Sequence, residues 1–254
     1  MTKLLDYRSI ADPTQGTIAQ NPIDGAEMVF IPEGEFIMGS DKSKDSLAYG
    51  DELPQRKVYL DGYWIYKYEV TVAQYRKFCQ ETGRQMPEEP WEWQDDHPIV
   101  NVSWYDSVAY CNWAGVELPT EAQWEKAARG TDGRIYPWGE KWDASKCNNY
   151  NTGPKQTTPV GSYPAGASPY GVLDMVGNVW EWCADWSDEE YYASAPNRNP
   201  QGPSSGTYRV LRGGSWGNVF LYGFLRAAYR GRYISDGWCL GRGFRCVASL
   251  RFPR

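Results

Sequence analysis

The clearest hydrophobic spacing lies in the first half of the chain. In "VAQYRKFCQETG" the apolar residues Val72, Tyr75, Phe78 and Cys79 recur every three or four positions, which places them on one helical face. Thr71 can cap this helix and Gly83 can end it. Ser103 and Asp106 form an S-x-x-D box opening "WYDSVAYCNWAG", with Val108 and Cys111 expected inward and Gly115 as the stop. Thr120 and Gln123 do the same for "EAQWEKAARG". Before the helices, "AEMVFIPEGEFIMGSD" predicts two short strands around Pro32-Glu33-Gly34. "RKVYLDGYWIYKYEV" is aromatic and β-branched, interrupted at Asp61-Gly62. Residues 1–24 read as an extension of little periodicity, and from Asp132 onward turns alternate with short strands. The expectation is one α+β domain over 25–254, poor in regular secondary structure.

Composition agrees with a loop-rich body. The 254 residues include 13 Trp, 19 Tyr, 26 Gly and 17 Pro, so aromatic rings must supply much of the buried area. A net charge of −6 argues against nucleic-acid binding, which needs a basic face. No apolar run is long enough to span a membrane. The first residues lack the apolar centre of a signal peptide, which predicts a cytoplasmic protein, with surface display or a virion location left open. Six cysteines show no C-x-x-C spacing and read as buried free thiols. His97 is the only histidine, read as a surface or turn residue, so a site built on several imidazoles is excluded.

The ordered motifs carry more. "FIPEGEFIMGS", "YEVTVAQYRKFC", "PIVNVSWYDSVAYCNWAG", "LPTEAQWEKAARG", "YPWGE", "PVGSYP", "GVLDMVGNVWEWCADW", "RVLRGGSW" and "GFRC" occur in sequence from about Ala26 to Ala248. Together they resemble the formylglycine-generating enzyme, or sulfatase-modifying factor, family. The resemblance implies that family's variant of the C-type lectin fold. It also implies a test of chemistry, because active members hold copper(I) on two cysteines placed just after the GGS-aromatic motif. The matching positions here are Asn218 and Gly223, and neither side chain can bind a soft metal. A sister branch that uses iron held by three histidines is excluded by the single His97.

A further resemblance is to the variable proteins of diversity-generating retroelements. These lay out GGSW, a variable block, an Arg-containing post, a Pro-Asp post and a closing GFR. Here GGSW is followed by Arg230, Ser235-Asp236 and "GFRC", and no Lys, Glu, Gln or Met occurs from Gly217 to Arg242. Trp238 and Ser235 depart from the pattern. The resemblance implies a variable, ligand-binding set: Gly217, Asn218, Val219, Leu221, Tyr222, Gly223, Tyr229, Gly231, Arg232, Tyr233, Ile234, Gly237, Cys239, Leu240 and Gly241. Tyr and Arg would anchor a partner while Gly and Asn adapt. The alternative is an ordinary loop-rich terminus in which Tyr222 and Ile234 are core. Arg212, Arg226, Arg230 and Arg245 read as scaffold, tying carbonyls and carboxylates together.

The family resemblance also implies a structural calcium ion on Asp174, the carbonyls of Gly177 and Val179, and Glu181. The alternative is that both carboxylates pair with buried amides or arginine. From Asn218 and Gly223 the expectation is a non-catalytic protein with no catalytic cofactor, displaying its C-terminal segment to a protein or cell-surface ligand. The alternatives are a divergent formylglycine-generating-enzyme-like oxidoreductase, a cofactor-independent enzyme at the same cleft, or an adaptor.

Overall fold

The computed structural model describes residues 4–218 and 222–250. The three helices form between the expected end signals: α1 is Val72–Thr82, α2 Trp104–Ala114 and α3 Glu121–Arg129. Each opens with a reciprocal box, Thr71 with Gln74, Ser103 with Asp106 and Thr120 with Gln123. In each box the hydroxyl accepts from the third helical amide, and that residue's side chain accepts from the cap amide, so two otherwise orphaned donors are satisfied. Gly83 and Gly115 end α1 and α2 in the left-handed region at φ 72° and 69°. All four residues expected on the inner face of α1 are buried. In α2, Val108 is only half-buried, because the inner stripe runs through Ser107, Tyr110, Cys111 and Ala114 and leaves it at the edge.

The early strands are β1 (Ile18–Gln20), β2 (Glu27–Ile31), β3 (Gly34–Met38), β4 (Arg56–Leu60) and β5 (Tyr63–Tyr66). The turns at Pro32-Glu33 and Asp61-Gly62 do not close hairpins; each carries the chain from one sheet to another. β2 pairs with β5, setting Phe30 opposite Trp64, while β3 pairs with β4, setting Phe36 opposite Val58. β1 pairs with β2, which corrects the reading of residues 1–24 as a mere extension. Asn21 and Asp24, also within it, are buried and bond the Tyr66 hydroxyl.

A second sheet contains β6 (Trp180–Trp186), β7 (Tyr208–Arg212), β8 (Gly231–Ile234) and β9 (Arg242–Gly243), in the order β8-β7-β6-β9. β9 runs parallel to β6, and the one-turn α4 (Tyr191–Ser194) lies between β6 and β7 in sequence. β10 (Val247–Ser249) returns to the first sheet beside β5. The chain from β7 to β10 therefore forms both outer strands of this sheet, β8 and β9, before β10 crosses to the edge of the first.

Fully buried Trp64, Trp124 and Trp182 centre the two core clusters. Cys79, Cys111, Cys147, Cys183 and Cys246 are buried free thiols, while Cys239 is half-buried. His97 is in a turn but buried rather than at the surface. Its Nδ1 is 2.8 Å from the Thr157 hydroxyl, and burial pushes its pKa down. Among the described residues no helix is long and apolar enough to cross a membrane.

Candidate functional site

The arginines read as scaffold do fasten loops to the core. Arg226, fully buried, bonds Asp45 at 2.7 Å and both oxygens of Glu52 at 2.6 and 2.7 Å, pinning the 45–52 loop to the segment that leads into β8. Arg212 donates to the carbonyls of Ala227 and Ala228 and pairs with Glu125 of α3. Arg230 grips Glu121 through two bonds of 2.8 Å and donates to the Asp51 carbonyl at 2.9 Å. Burial pushes the Glu121 carboxyl up, but Arg230 and Arg212 outweigh it and hold it below its ordinary value. Arg245 clasps Glu181 at 2.7 Å from both Nε and Nη2. Such buried pairs fix one arrangement rather than adding much net stability.

These ties shape a cleft of about 620 Å³ along the second sheet. Nine of the fifteen residues expected to bind ligand line it: Gly217 and Asn218 from one loop, Tyr229 just before β8, Gly231, Arg232 and Tyr233 along β8, and Cys239, Leu240 and Gly241 before β9. Ile234 continues β8 outward and is 42 % exposed, which rules out the core alternative for it. Tyr222 and Gly223 open a single 3₁₀ turn, with Gly223 near the Tyr49 ring. Val219 and Leu221 lie outside the described residues.

Not every position between the scaffold arginines is free to vary. A Cβ at Gly231 would stand 2.8 Å from the Trp180 ring and 3.1 Å from the Leu211 carbonyl. A side chain at Gly237 would collide with Tyr233. Asn218 closes its own loop, its Oδ1 accepting from the Ser215 amide at 2.6 Å. By contrast Arg232, Tyr233, Ile234, Trp238 and Leu240 are exposed. The reading of the filler missed Asp51, Trp180, Trp216 and Arg242, which also line the cleft. Both tryptophans stood inside quoted motifs, whereas Asp51 is brought in by Arg230, and nothing local in the sequence marks it. Half-burial pushes the Asp51 carboxyl up, with Arg230 opposing.

The residues expected to hold calcium have other partners. The Asp174 carboxylate accepts from the Gly161 amide at 2.6 Å, and Glu181 accepts from Arg245 and, at 2.8 Å, from the Trp124 indole. These are the amide and arginine partners of the alternative reading. Among the described residues no group of three or more acidic, thiol or imidazole side chains is placed to hold a metal ion. Buried Glu69, Asp174 and Glu181 share the single guanidinium of Arg245, and Glu69 Oε2 has no partner. Burial, then Asp174, push Glu69 well above the carboxylate range.

The fold and cleft define a mixed α/β, loop-rich scaffold whose largest share of cleft-lining residues comes from its last quarter. The sulfatase-modifying factor enzyme 1-like domain matches residues 14–250, and the chain belongs to this formylglycine-generating enzyme family. It is 36% identical over 248 residues to the serine/threonine-protein kinase pkn1 of Chlamydia caviae, a match covering 89% of this chain but 38% of that protein. The chain thus spans well under half the length of that relative. It is 32% identical to the formylglycine-generating enzyme of Mus musculus, covering 91% of this chain and 77% of the enzyme. Among solved structures, PvdO from Pseudomonas aeruginosa superposes with a TM-score of 0.83 at 26% identity, covering 93% of this chain and 99% of PvdO. Treponema denticola variable protein 1 superposes at 0.76 and 22% identity, covering 91% and 98%, a likeness of fold. The fold is the C-type lectin fold that the motifs implied.

These relatives overturn the expectation of a non-catalytic protein, since the chain's near-full-length matches include named enzymes. The physical reason is plain. Asn218 and Gly223 remove one pair of thiolates and so speak to one chemistry only, while a scaffold supports reactions through other groups.

Proposed function

We propose that the chain captures a ligand, a protein or a cell-surface molecule, in the cleft between Trp180, Trp216 and β8, as a variable protein of the retroelement type. The observation carrying this reading is the gathering of nine separately numbered C-terminal residues around one cleft, continuous with an exposed rim of Tyr233, Ile234, Trp238 and Leu240. Aromatic and aliphatic groups left in water on a loop-rich face are otherwise a liability, and they suit a recognition surface. Gly231, against the Trp180 ring and the Leu211 carbonyl, forms part of the support for that surface. A hard cation held by Asp174, the carbonyls of Gly177 and Val179 and Glu181 would balance the buried carboxylates and stiffen the cleft from behind.

The relatives favour a second reading, an enzyme acting at the same cleft. Its reacting groups would have to be others than a thiolate pair at 218 and 223. The test for the first reading is genetic. A near-copy of the segment's coding DNA downstream, differing at adenines and accompanied by a reverse transcriptase gene, is the expected result. One fixed segment in every isolate, with no such copy, would leave the enzyme reading standing alone.

A further inference from the structure

Arg242, like Arg209 of β7, has no carboxylate partner among the described residues, and unlike Arg209 it lines the cleft. Arg212, Arg226, Arg230, Arg232 and Arg245 each pair with a carboxylate: Glu125, Glu52, Glu121, Glu189 and Glu181. No such partner is found for Arg242 among the described residues, and its Nη1 is a buried donor without an acceptor. A buried donor left without an acceptor is costly, and more so when it is charged. The guanidinium carbon instead sits over the Tyr233 ring, 3.4 Å from its centre. Its backbone is fixed as well. Arg242 pairs with Trp180 across the parallel β6–β9 register, and its amide donates to the Cys239 carbonyl at 3.2 Å. A stacked, pre-oriented fork with spare donors is what recognition of a planar anion requires.

The rest of the cleft sets the charge of that anion. Arg230 and Arg232 also line it but are already neutralised by Glu121 and Glu189. Asp51 also lines the cleft, where burial pushes its carboxyl up and Arg230 opposes the shift. Arg242 is therefore the cleft-lining arginine that no described carboxylate pairs, and with the Asp51 carboxylate in the same cleft a singly charged anion meets less repulsion than a doubly charged phosphate. Tyr233 lies on an edge strand and is 39 % exposed, so its ring can yield to an incoming group.

We propose that Arg242 is the anion-reading fork of this cleft and takes a carboxylate of the bound ligand. The inference rests on the cleft being the ligand site. Two sources share the chemistry, an acidic side chain and a free chain terminus.

The test follows backbone amide signals of Gly241 and Arg242 by NMR during titration of the intact protein. One probe, N-acetylglutamic acid α-amide, carries only a side-chain carboxylate; another, N-acetylphenylalanine, carries only a terminal one. N-acetylglutamine amide and N-acetyltryptophanamide are the neutral partners. Saturable shifts are expected with a carboxylate probe, and whichever responds names the source. Arg242→Gln should weaken that response about 10- to 100-fold. Arg242→Lys should recover part of it, and Arg198→Gln, on another face, should leave it unchanged. Thermal midpoints would show that each variant folds. Equal binding by Arg242→Gln, or equal response to the glutamine amide, would overturn the assignment. If N-acetyltryptophanamide alone shifts the Trp180 and Trp216 signals, Arg242 loses its role and the cleft keeps its own. If no probe shifts anything, both readings fall.

Discussion

Arg226 and Arg232 are near neighbours in sequence, yet one is sealed in the core and the other lies in the open. Arg226 is fully buried between Asp45 and Glu52, while Arg232 reaches from the exposed face of β8 to Glu189 at the surface. The same side chain serves as a rivet in one place and as a replaceable surface group in the other. The difference lies in desolvation. Removing one partner of a buried pair strands a charge that water cannot reach, whereas an exposed pair loses little.

The largest expected effect tests that contrast directly. Arg226→Met should cost about 3–5 kcal/mol in denaturant unfolding, because Asp45 and Glu52 are left facing each other without a cation. Arg232→Met should stay within about 0.5 kcal/mol. Similar losses in the two variants would erase the distinction between frame and surface. Next in size is the cation reading of the frame. Calcium at about 100 times its dissociation constant should raise stability by about 2.7 kcal/mol over a chelated sample. An unchanged melting midpoint would leave Glu181 to Arg245 and the Trp124 indole.

Gly231 sharpens the boundary from the other side, since its place in the sequence makes it filler and its surroundings make it frame. Gly231→Val should cost about 1–3 kcal/mol through overpacking against Trp180 and the Leu211 carbonyl. Full stability in that variant would return Gly231 to the variable surface.

How far the sequence could be read follows the same line. The helices were legible because their signals are local: Thr71, Ser103 and Thr120 open them, and spaced apolar residues mark a face. The exchange of partners among β2, β3, β4 and β5 was not, because a turn at Asp61-Gly62 looks alike whether it closes a hairpin or crosses between sheets. The cleft was half legible. Its β8 wall lies inside one continuous segment, but Asp51 arrives from a distant loop through the Arg230 bond, and the clash at Gly231 depends on Trp180. His97 looked like a surface residue because Pro98 follows it, and its burial comes from tertiary packing.

A smaller effect concerns pH. Asp185 is buried behind the same frame, and its carboxylate accepts from the Glu121 amide at 2.7 Å. Burial, then the nearby Glu121, raise its pKa from 3.8 to about 7. Between those two values the folded chain holds more protons here than the unfolded chain, so this group's contribution to stability falls as pH rises. Asp185→Asn removes the titration and should flatten the decline in melting midpoint between pH 5 and 8. An unchanged slope would place the titrating group elsewhere.

The smallest stability change is expected where the effect on binding is expected to be greatest. Tyr233 and Leu240 are 39 % and 40 % exposed on the cleft rim, so Tyr233→Ser and Leu240→Ser remove little buried area and should each shift stability within about 0.5 kcal/mol. Their contacts with a ligand would be lost all the same, because rim aromatics and aliphatics contribute only when a partner covers them. Denaturant midpoints and titration of the same preparations would separate the two. A protein that unfolds more easily without Tyr233 would mean that its stack with Arg242 is part of the frame. Unchanged midpoints with lost binding would place it on the working surface, and unchanged binding would remove the rim from the site.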